Sequence, residues 1–225
     1  MDLVLGNIGR NFYLQPNLQN PVKLWVSDFD QNGITDKILT RTVDGKDMPV
    51  FLKHDLESQI PSLKKQNLKH NDFAKKSIQQ LFPSNLLDKA LVRPFNYTAS
   101  IVAINQGKGK FSIRELPAMV QLSSVGAIHC LDLNHDGAAD LVLGGNEFGF
   151  LPQFGRLDAS AGHLLLNDGI GQWTWIPPAR SGLYLPGQIR DIAEIPEKDH
   201  VYLLFLENDE FPTLYSIRPG PIPKK

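Results

Sequence analysis

Internal repetition constrains the fold of this chain more than any other feature of its sequence. Residues 105–111, NQGKGKF, reappear as NDGIGQW at 167–173, and DLVLGN at 2–7 reappears as DLVLGGN at 140–146. In both copies of the first motif an apolar strand enters a Gly-rich turn and an aromatic residue opens the next strand, which is typical of a β-hairpin. The repetition therefore predicts several copies of one small β unit, and the chain opens in the middle of a copy.

The composition fits a folded, mostly β chain. Of 225 residues, 42% are hydrophobic and 21% are charged, and 18 Gly and 16 Pro separate short apolar runs. The net charge of -1 leaves no excess of positive charge for phosphates or anionic lipids, and no apolar run approaches the roughly 18 residues of a membrane span. We expect neither a nucleic-acid partner nor a membrane span. The single cysteine, Cys130, lies in an apolar run that is typical of a buried thiol.

Residues 53–91 depart from the β pattern because they are polar and rich in Lys and Gln. Asn71 can cap a helix whose apolar residues recur at helical spacing before Pro83 ends it. The pattern predicts a helical insertion between two strands of one repeat. The insertion is either an excursion that binds a partner or a cap packed on the sheet edge, and caps are the commoner case for amphipathic helices.

Two acidic loops, 28–36 and 132–140, share the spacing D-x-[DN]-x-[DN]-G-x-x-D. Oxygen ligands at positions 1, 3, 5 and 9, with a backbone carbonyl at position 7, can surround Ca²⁺, and Gly at position 6 allows the sharp turn. The spacing predicts two calcium sites. The predicted ligands are Asp28, Asp30, Asn32, Asp36 and the Ile34 carbonyl in the first loop, and Asp132, Asn134, Asp136, Asp140 and the Ala138 carbonyl in the second.

An EF-hand begins in the same way but needs Glu at position 12, where this chain has Leu39 and Leu143. A different interpretation is that Asp, Asn and Gly simply build tight turns through side-chain to backbone hydrogen bonds. Two copies at one spacing favour an ion over this interpretation. A third copy, at 191–201, has Ala193 and Ile195 at ligand positions and is expected to bind none.

The two loops, the hairpin at 164–173 and the segment at 154–162 resemble FG-GAP/VCBS repeats. They are most similar to the integrin-α-like β-propellers of bacterial proteins related to cartilage acidic protein, which often carry an ASPIC/UnbV segment that is not evident here. The resemblance implies an all-β partial propeller of about three four-stranded blades, stabilised by calcium and secreted or displayed at the cell surface. Because a ring needs at least four blades, we expect a C-terminal part of a longer propeller, completed by the remaining blades.

The expected boundaries are 1–20 for the end of a preceding repeat, 21–120 for a first blade that includes the helical insertion 53–91, 121–180 for a second blade and 181–225 for a third, degenerate one. The resemblance implies a non-enzymatic, extracytoplasmic binding or scaffold module whose ligand is an unknown protein or glycan. The alternative is part of a secreted polysaccharide hydrolase or lyase, which needs convergent carboxylates outside the loops. The obvious spare carboxylates are Glu115, Glu147 and Glu194.

A group of aromatic and cationic residues is a further candidate site. These residues could line a carbohydrate or peptide platform, although aromatic residues at alternating strand positions more often pack in a core. His135, inside the second loop, is expected to point into solvent. The candidate platform residues are Phe148, Phe150, Phe154, Arg156, Trp173 and Trp175.

Overall fold

The computed structural model describes residues 1–66, 69–198 and 200–217. These residues are 38% strand and 15% helix, and the strands form four antiparallel sheets of three or four strands, none of them closed. The prediction of a mostly β chain is confirmed. By internal contacts the chain divides into two compact units, one of residues 1–13 and 98–225 and the other of residues 14–97.

The strands are short, as the spacing of the Gly and Pro residues predicts. In chain order they are β1 (Leu3–Leu5), β2 (Val22–Ser27), β3 (Asp36–Val43), β4 (Lys46–Pro49), β5 (Leu91–Phe95), β6 (Ile101–Asn105), β7 (Phe111–Glu115), β8 (Val125–Leu131), β9 (Asp140–Gly145), β10 (His163–Asn167), β11 (Trp173–Ile176), β12 (Ile189–Glu197), β13 (His200–Glu207) and β14 (Thr213–Ile217).

The helices are shorter still. They are α1 (Lys53–Gln59), α2 (Leu63–Gln66), α3 (His70–Phe73), α4 (Ile78–Leu81), α5 (Ser84–Leu87) and α6 (Pro178–Ser181), with 3₁₀ turns at Val120–Leu122 and Pro152–Phe154. The longest described helix has seven residues, and none of the described helices has the length and apolar character needed to traverse a bilayer.

Strands β8 to β11 form a four-stranded sheet in which each strand pairs with the next along the chain. Strand β9 is buried along its whole length. Leu141 and Leu143 pack with Val102 of β6, whereas Val142 packs with Leu203 and Phe205 of β13. Because successive strand residues point to opposite faces, this sheet lies between the sheet of β1, β6 and β7 and the sheet of β12, β13 and β14.

The strand pairing does not follow the expected first blade, 21–120. Strand β1 pairs with β6, with Leu3 opposite Ala103, just as β9 pairs with β10, with Leu141 opposite Leu165. The hairpin at 101–115 therefore joins β1 in a three-stranded sheet. This pairing repeats that of β9 with β10, because β1 and β9 share the sequence DLVLG. The strands between 22 and 95 form a separate sheet, so the second unit is inserted between β1 and β6.

Each of the other two expected blades contains one sheet. Strands β8 to β11 lie within 121–180, and β12 to β14 lie within 181–225, whose residues 218–225 are outside the described part of the chain. In the described part of the chain the last of these sheets has three strands, where four were expected. Strand β12 continues to Glu197, which pairs with His200 of β13, so Ala193 and Ile195 lie in a strand and form no acidic loop. Cys130 is exposed, in contrast to the expected buried thiol.

The sheet of the second unit has the order β4, β3, β2, β5, and helices α1 to α5 lie between β4 and β5. Their apolar side chains pack onto Trp25 and Ile38, so the helices cover one face of this sheet and not its edge. Asn71 lies inside α3, whose N-cap is Lys69, so it does not cap the predicted helix, which is divided into α3 and α4. Ser77 interrupts the helix because it forms a capping box with Gln80 at the start of α4.

Candidate metal-binding loops

The two acidic loops have the same backbone conformation. The residue at position 4 has a positive φ in each, 60° at Gln31 and 57° at His135. The glycine at position 6 has a φ of 87° in both loops, at Gly33 and Gly137. Because no atom lies near enough to obstruct a Cβ at either glycine, the requirement for glycine here is conformational.

The carboxylate at position 1 organises each loop in the same way. Asp28 accepts hydrogen bonds from the backbone N–H groups of Asn32 at 3.0 Å and Gly33 at 2.8 Å. In the second loop the corresponding bonds to Asp132 are 3.1 Å from the N–H of position 5 and 3.0 Å from the N–H of position 6. The side chain at position 5 then accepts from the N–H of position 7, at 2.7 Å in the first loop and 2.9 Å in the second.

The carboxylate at position 9 is buried in both loops, with 2% of Asp36 and none of Asp140 exposed. Each accepts a hydrogen bond of 2.9 Å from the backbone N–H at position 2, which belongs to Phe29 or Leu133. Burial raises the pKa of both carboxyl groups above the ordinary value, and these hydrogen bonds oppose that change. The negative charges of the other aspartates in each loop raise both pKa values further, so a bound cation would relieve repulsion at these positions.

The first loop brings three carboxylates together. Asp28, Asp30 and Asp36 offer oxygen atoms that all lie within 4.8 Å of one another. The Oδ1 atom of Asp30 is buried and has no hydrogen-bond partner among the described residues. A buried carboxylate oxygen without a donor destabilises a fold, and a hard divalent cation would satisfy it. The three carboxylates could therefore hold a hard divalent cation, a class that includes Ca²⁺.

The second loop differs in its side chains. The Nδ2 atom of Asn134 donates a hydrogen bond of 2.8 Å to Asp136 Oδ2, while Asp136 Oδ1 accepts from the N–H of Ala138. Within the described residues the three carboxylates of this loop do not form a group as close as the one in the first loop. The loop offers oxygen ligands, but Asn134 and Asp136 would have to exchange these hydrogen bonds for contacts to an ion.

Two supporting residues have no place in the loop motif. Asn167, at the end of β10, donates its backbone N–H to Asp140 at 2.8 Å and its side-chain amide to the carbonyl of Ala139 at 3.1 Å. Gln59 of α1 donates to the carbonyl of Lys37, beside the first loop, at 3.2 Å. Asn167 belongs to the repeated hairpin motif, so the sequence marks it, whereas nothing in the sequence indicates the contact of Gln59.

The spare carboxylates are not brought together. Glu115, Glu147 and Glu194 each line a different cavity. Each is already paired: Glu115 with Arg10, Glu147 with Arg190 at 3.4 Å, and Glu194 with His129 at 3.2 Å. Acid and base catalysis by a carboxylate pair requires two carboxyl groups flanking one bond, and these three do not meet that geometry.

The six residues proposed as a platform are also distributed over different places. Phe150 packs against Phe12, and Phe154 stacks on Tyr13. Trp173 and Trp175 pack against the core between the sheet of β1, β6 and β7 and the sheet of β8 to β11. The remaining two of the six, Phe148 and Arg156, line a cavity together, and the guanidinium of Arg156 lies 4.0 Å above the ring of Phe148. His135 is exposed, as expected for its position in the loop.

Comparison with protein-family models and with curated proteins finds no match to this chain. The similarity to FG-GAP/VCBS repeats therefore stays a prediction from the residues that carry it.

Proposed function

We propose that this chain is a calcium-stabilised, extracytoplasmic binding or scaffold module of β-propeller type with no enzymatic activity. The observation that carries the proposal is the carboxylate triad of Asp28, Asp30 and Asp36, which includes a buried oxygen without a hydrogen-bond partner. The matching backbone of the second loop supports a second ion there, bound by Asp132, Asn134, Asp136 and Asp140. The extracytoplasmic location and the propeller ring follow from the family resemblance alone.

The sheet packing supports the propeller part of the proposal. Three successive sheets of the first unit stack face to face, and the first two share the strand sequence DLVLG and the Gly-rich hairpin at corresponding places. Blades of a propeller pack in this way around a central axis. Further blades would complete the ring, so the partners that we propose are those blades and a protein or glycan ligand.

Calcium in these loops would have a structural role. Bound at the first loop, it would hold the carboxylates of Asp28, Asp30 and Asp36 together with Asn32 and the carbonyl of Ile34. The loop joins β2 to β3, so the ion would fix the register at the end of this strand pair. The three spare carboxylates named from the sequence, Glu115, Glu147 and Glu194, are paired and separated, so no two of them form the carboxylate pair that polysaccharide cleavage requires.

The proposal is tested by thermal and calorimetric measurements with calcium and with a chelator. Calcium at about 100 times the dissociation constant should stabilise the fold by about 2.7 kcal/mol per site. Asp30→Asn should weaken the first site, whereas Asp44→Asn, an exposed aspartate outside both loops, should leave binding unchanged. Identical melting temperatures with calcium and chelator would contradict the proposal, and a third calorimetric site would contradict the strand assignment of Ala193 and Ile195, which pair with Leu204 and Tyr202 of β13.

A further inference from the structure

A second candidate site lies in the first unit, in a cavity of about 820 Å³. Its walls come from the segment after β9, the residues that precede β12, and the turn between β13 and β14. The volume falls within the range of pockets that bind small molecules, roughly 300 to 1,000 Å³. The cavity is separate from both acidic loops, because none of the predicted calcium ligands lines it.

The wall before β12 contains a buried amide that lacks a partner. Gln188 is 3% exposed, and its Nε2 group donates to no acceptor among the described residues. Its backbone carbonyl accepts a hydrogen bond of 2.9 Å from the N–H of Asn208, which fixes this residue against the turn between β13 and β14. A buried amide donor without an acceptor is destabilising, so Gln188 favours a ligand that supplies an acceptor.

The turn between β13 and β14, which also lines the cavity, carries carboxylates that can accept hydrogen bonds. Glu207 accepts from the hydroxyl of Thr213 at 2.8 Å, and Asp209 accepts from the side-chain amide of Asn208 at 2.8 Å. Glu210 is exposed on the same wall. With Glu147, four carboxylates line the cavity against two arginines, so the lining is acidic overall.

The amide donor of Gln188 and the acidic lining together restrict the class of ligand. A cationic side chain could pair with the carboxylates, but it has no acceptor to offer Gln188. An anion could accept from Gln188, but four carboxylates would repel it. A hydroxyl group both donates and accepts, so a polyhydroxylated ligand satisfies both walls.

Two aromatic rings add a second feature of the same site. Phe211 lies at the cavity and is 91% exposed, so its ring faces solvent without any packing role in the described structure. Phe148 lines the cavity beneath the guanidinium of Arg156. The apolar C–H face of a sugar ring packs well on an exposed aromatic ring, and burial of that ring would be favourable.

We infer that this cavity binds a neutral saccharide, with Gln188 donating to a sugar hydroxyl, the carboxylates of the turn accepting from others, and Phe211 packing on the sugar ring. The inference names the ligand class of the proposed binding module and so rests on that function. It does not require calcium, because the cavity and the acidic loops share no predicted ligand.

The test uses the full chain and isothermal titration with neutral oligosaccharides built from glucose, mannose, galactose or xylose, with oligogalacturonate and with a lysine-rich peptide. We expect at least one neutral oligosaccharide to bind and the two charged probes not to bind. Gln188→Met should weaken binding about tenfold, which corresponds to one charge-free hydrogen bond of about 1.4 kcal/mol. The same variant should keep or raise the melting temperature without ligand, because it removes an unsatisfied buried donor.

Phe211→Ala should weaken binding several-fold without changing the fold, since the ring is exposed. Tyr184→Ala, which removes a similarly exposed ring outside the cavity, is the matched control and should bind like the parent protein. Failure of every neutral oligosaccharide to bind, binding of a charged probe instead, or equal affinity in the parent, Gln188→Met and Phe211→Ala proteins would overturn the inference. Titrations in calcium and in chelator distinguish the two proposals. If no saccharide binds but calcium still stabilises the fold, only the saccharide site is refuted. If a saccharide binds but calcium does not stabilise the fold, only the calcium proposal is refuted.

Discussion

His163 lies at the centre of a buried polar network in the first unit. The indole N–H of Trp175 donates to His163 Nδ1 at 3.2 Å, and Nε2 lies 3.1 Å from the hydroxyl of Ser160. An indole nitrogen can only donate, so Nδ1 carries no proton, and the neutral ring donates from Nε2 to Ser160. Burial lowers the pKa of His163 to about 4, because a charged imidazolium would lose its hydration.

This network predicts a loss of stability in mild acid. The unfolded chain binds a proton at His163 below about pH 6.5, whereas the folded chain does so only near pH 4, so the free energy of unfolding falls as the pH drops between these values. At about 1.4 kcal/mol per pH unit the full effect is about 3 kcal/mol. Urea unfolding at pH 7 and pH 4.5, in chelator, should show a steeper decline for the parent protein than for His163→Gln. Equal declines in the two proteins would contradict the assignment of this effect to His163.

At the scale of elements, β9 is the most constrained strand because sheets pack on both of its faces. Gly144 lies against Ile189 of β12, and a Cβ built on Gly144 would stand 2.5 Å from the Cβ of Ile189. Atoms cannot approach so closely, so any side chain at 144 would push the two sheets apart. The repeated sequence DLVLG thus combines alternating apolar residues with a glycine that permits close sheet packing.

Gly144→Ala should therefore destabilise the protein by about 1 to 3 kcal/mol, the usual cost of overpacking a buried position. Chemical denaturation measures the change. Gly149→Ala is a suitable control, because a Cβ there would meet only the carboxylate of Glu147, at the end of a flexible side chain. A Gly144→Ala protein as stable as the control would show that the sheets can separate without loss.

The same element explains how far the sequence predicts this fold. The repeated motifs correctly predict the hairpins at 101–115 and 163–176 and the two acidic loops, because each depends on local spacing. The expected first blade groups the first hairpin with β2 and β3, because these strands flank an acidic loop as β8 and β9 do, whereas the hairpin pairs with β1. Local patterns do not show which strands pair across about ninety residues. Gln188 was missed for a similar reason, since its burial and its lack of a partner depend on distant segments.

At the scale of the whole chain, the second unit is an insertion within a sheet of the first. Its entry and exit are close in the first unit, where the N–H of Gly9 donates to the carbonyl of Thr98 at 2.9 Å. Within the second unit, Val22, the first residue of β2, stands opposite Phe95, the last residue of β5, so its first and last strands pair at those ends. Each unit has buried apolar clusters formed by its own residues. Close ends and independent cores are the conditions under which domain insertion is tolerated.

Excision of residues 14–97, with Tyr13 joined to Thr98 by a short Gly/Ser linker, should therefore leave a protein that unfolds cooperatively. Because the cavity beside Gln188 lies entirely in the retained unit, we expect its saccharide binding to persist, together with one calcium site instead of two. The excised segment alone should fold around Trp25, whose fluorescence would report its unfolding, and should bind calcium through Asp28, Asp30 and Asp36. Deletion of 189–217 is the control, since it strips the sheet that packs on Val142 and should abolish cooperative unfolding. Non-cooperative unfolding of the 14–97 deletion would show that β1 and β6 pair only when the insertion holds them, so that the two units form one folding unit and not two.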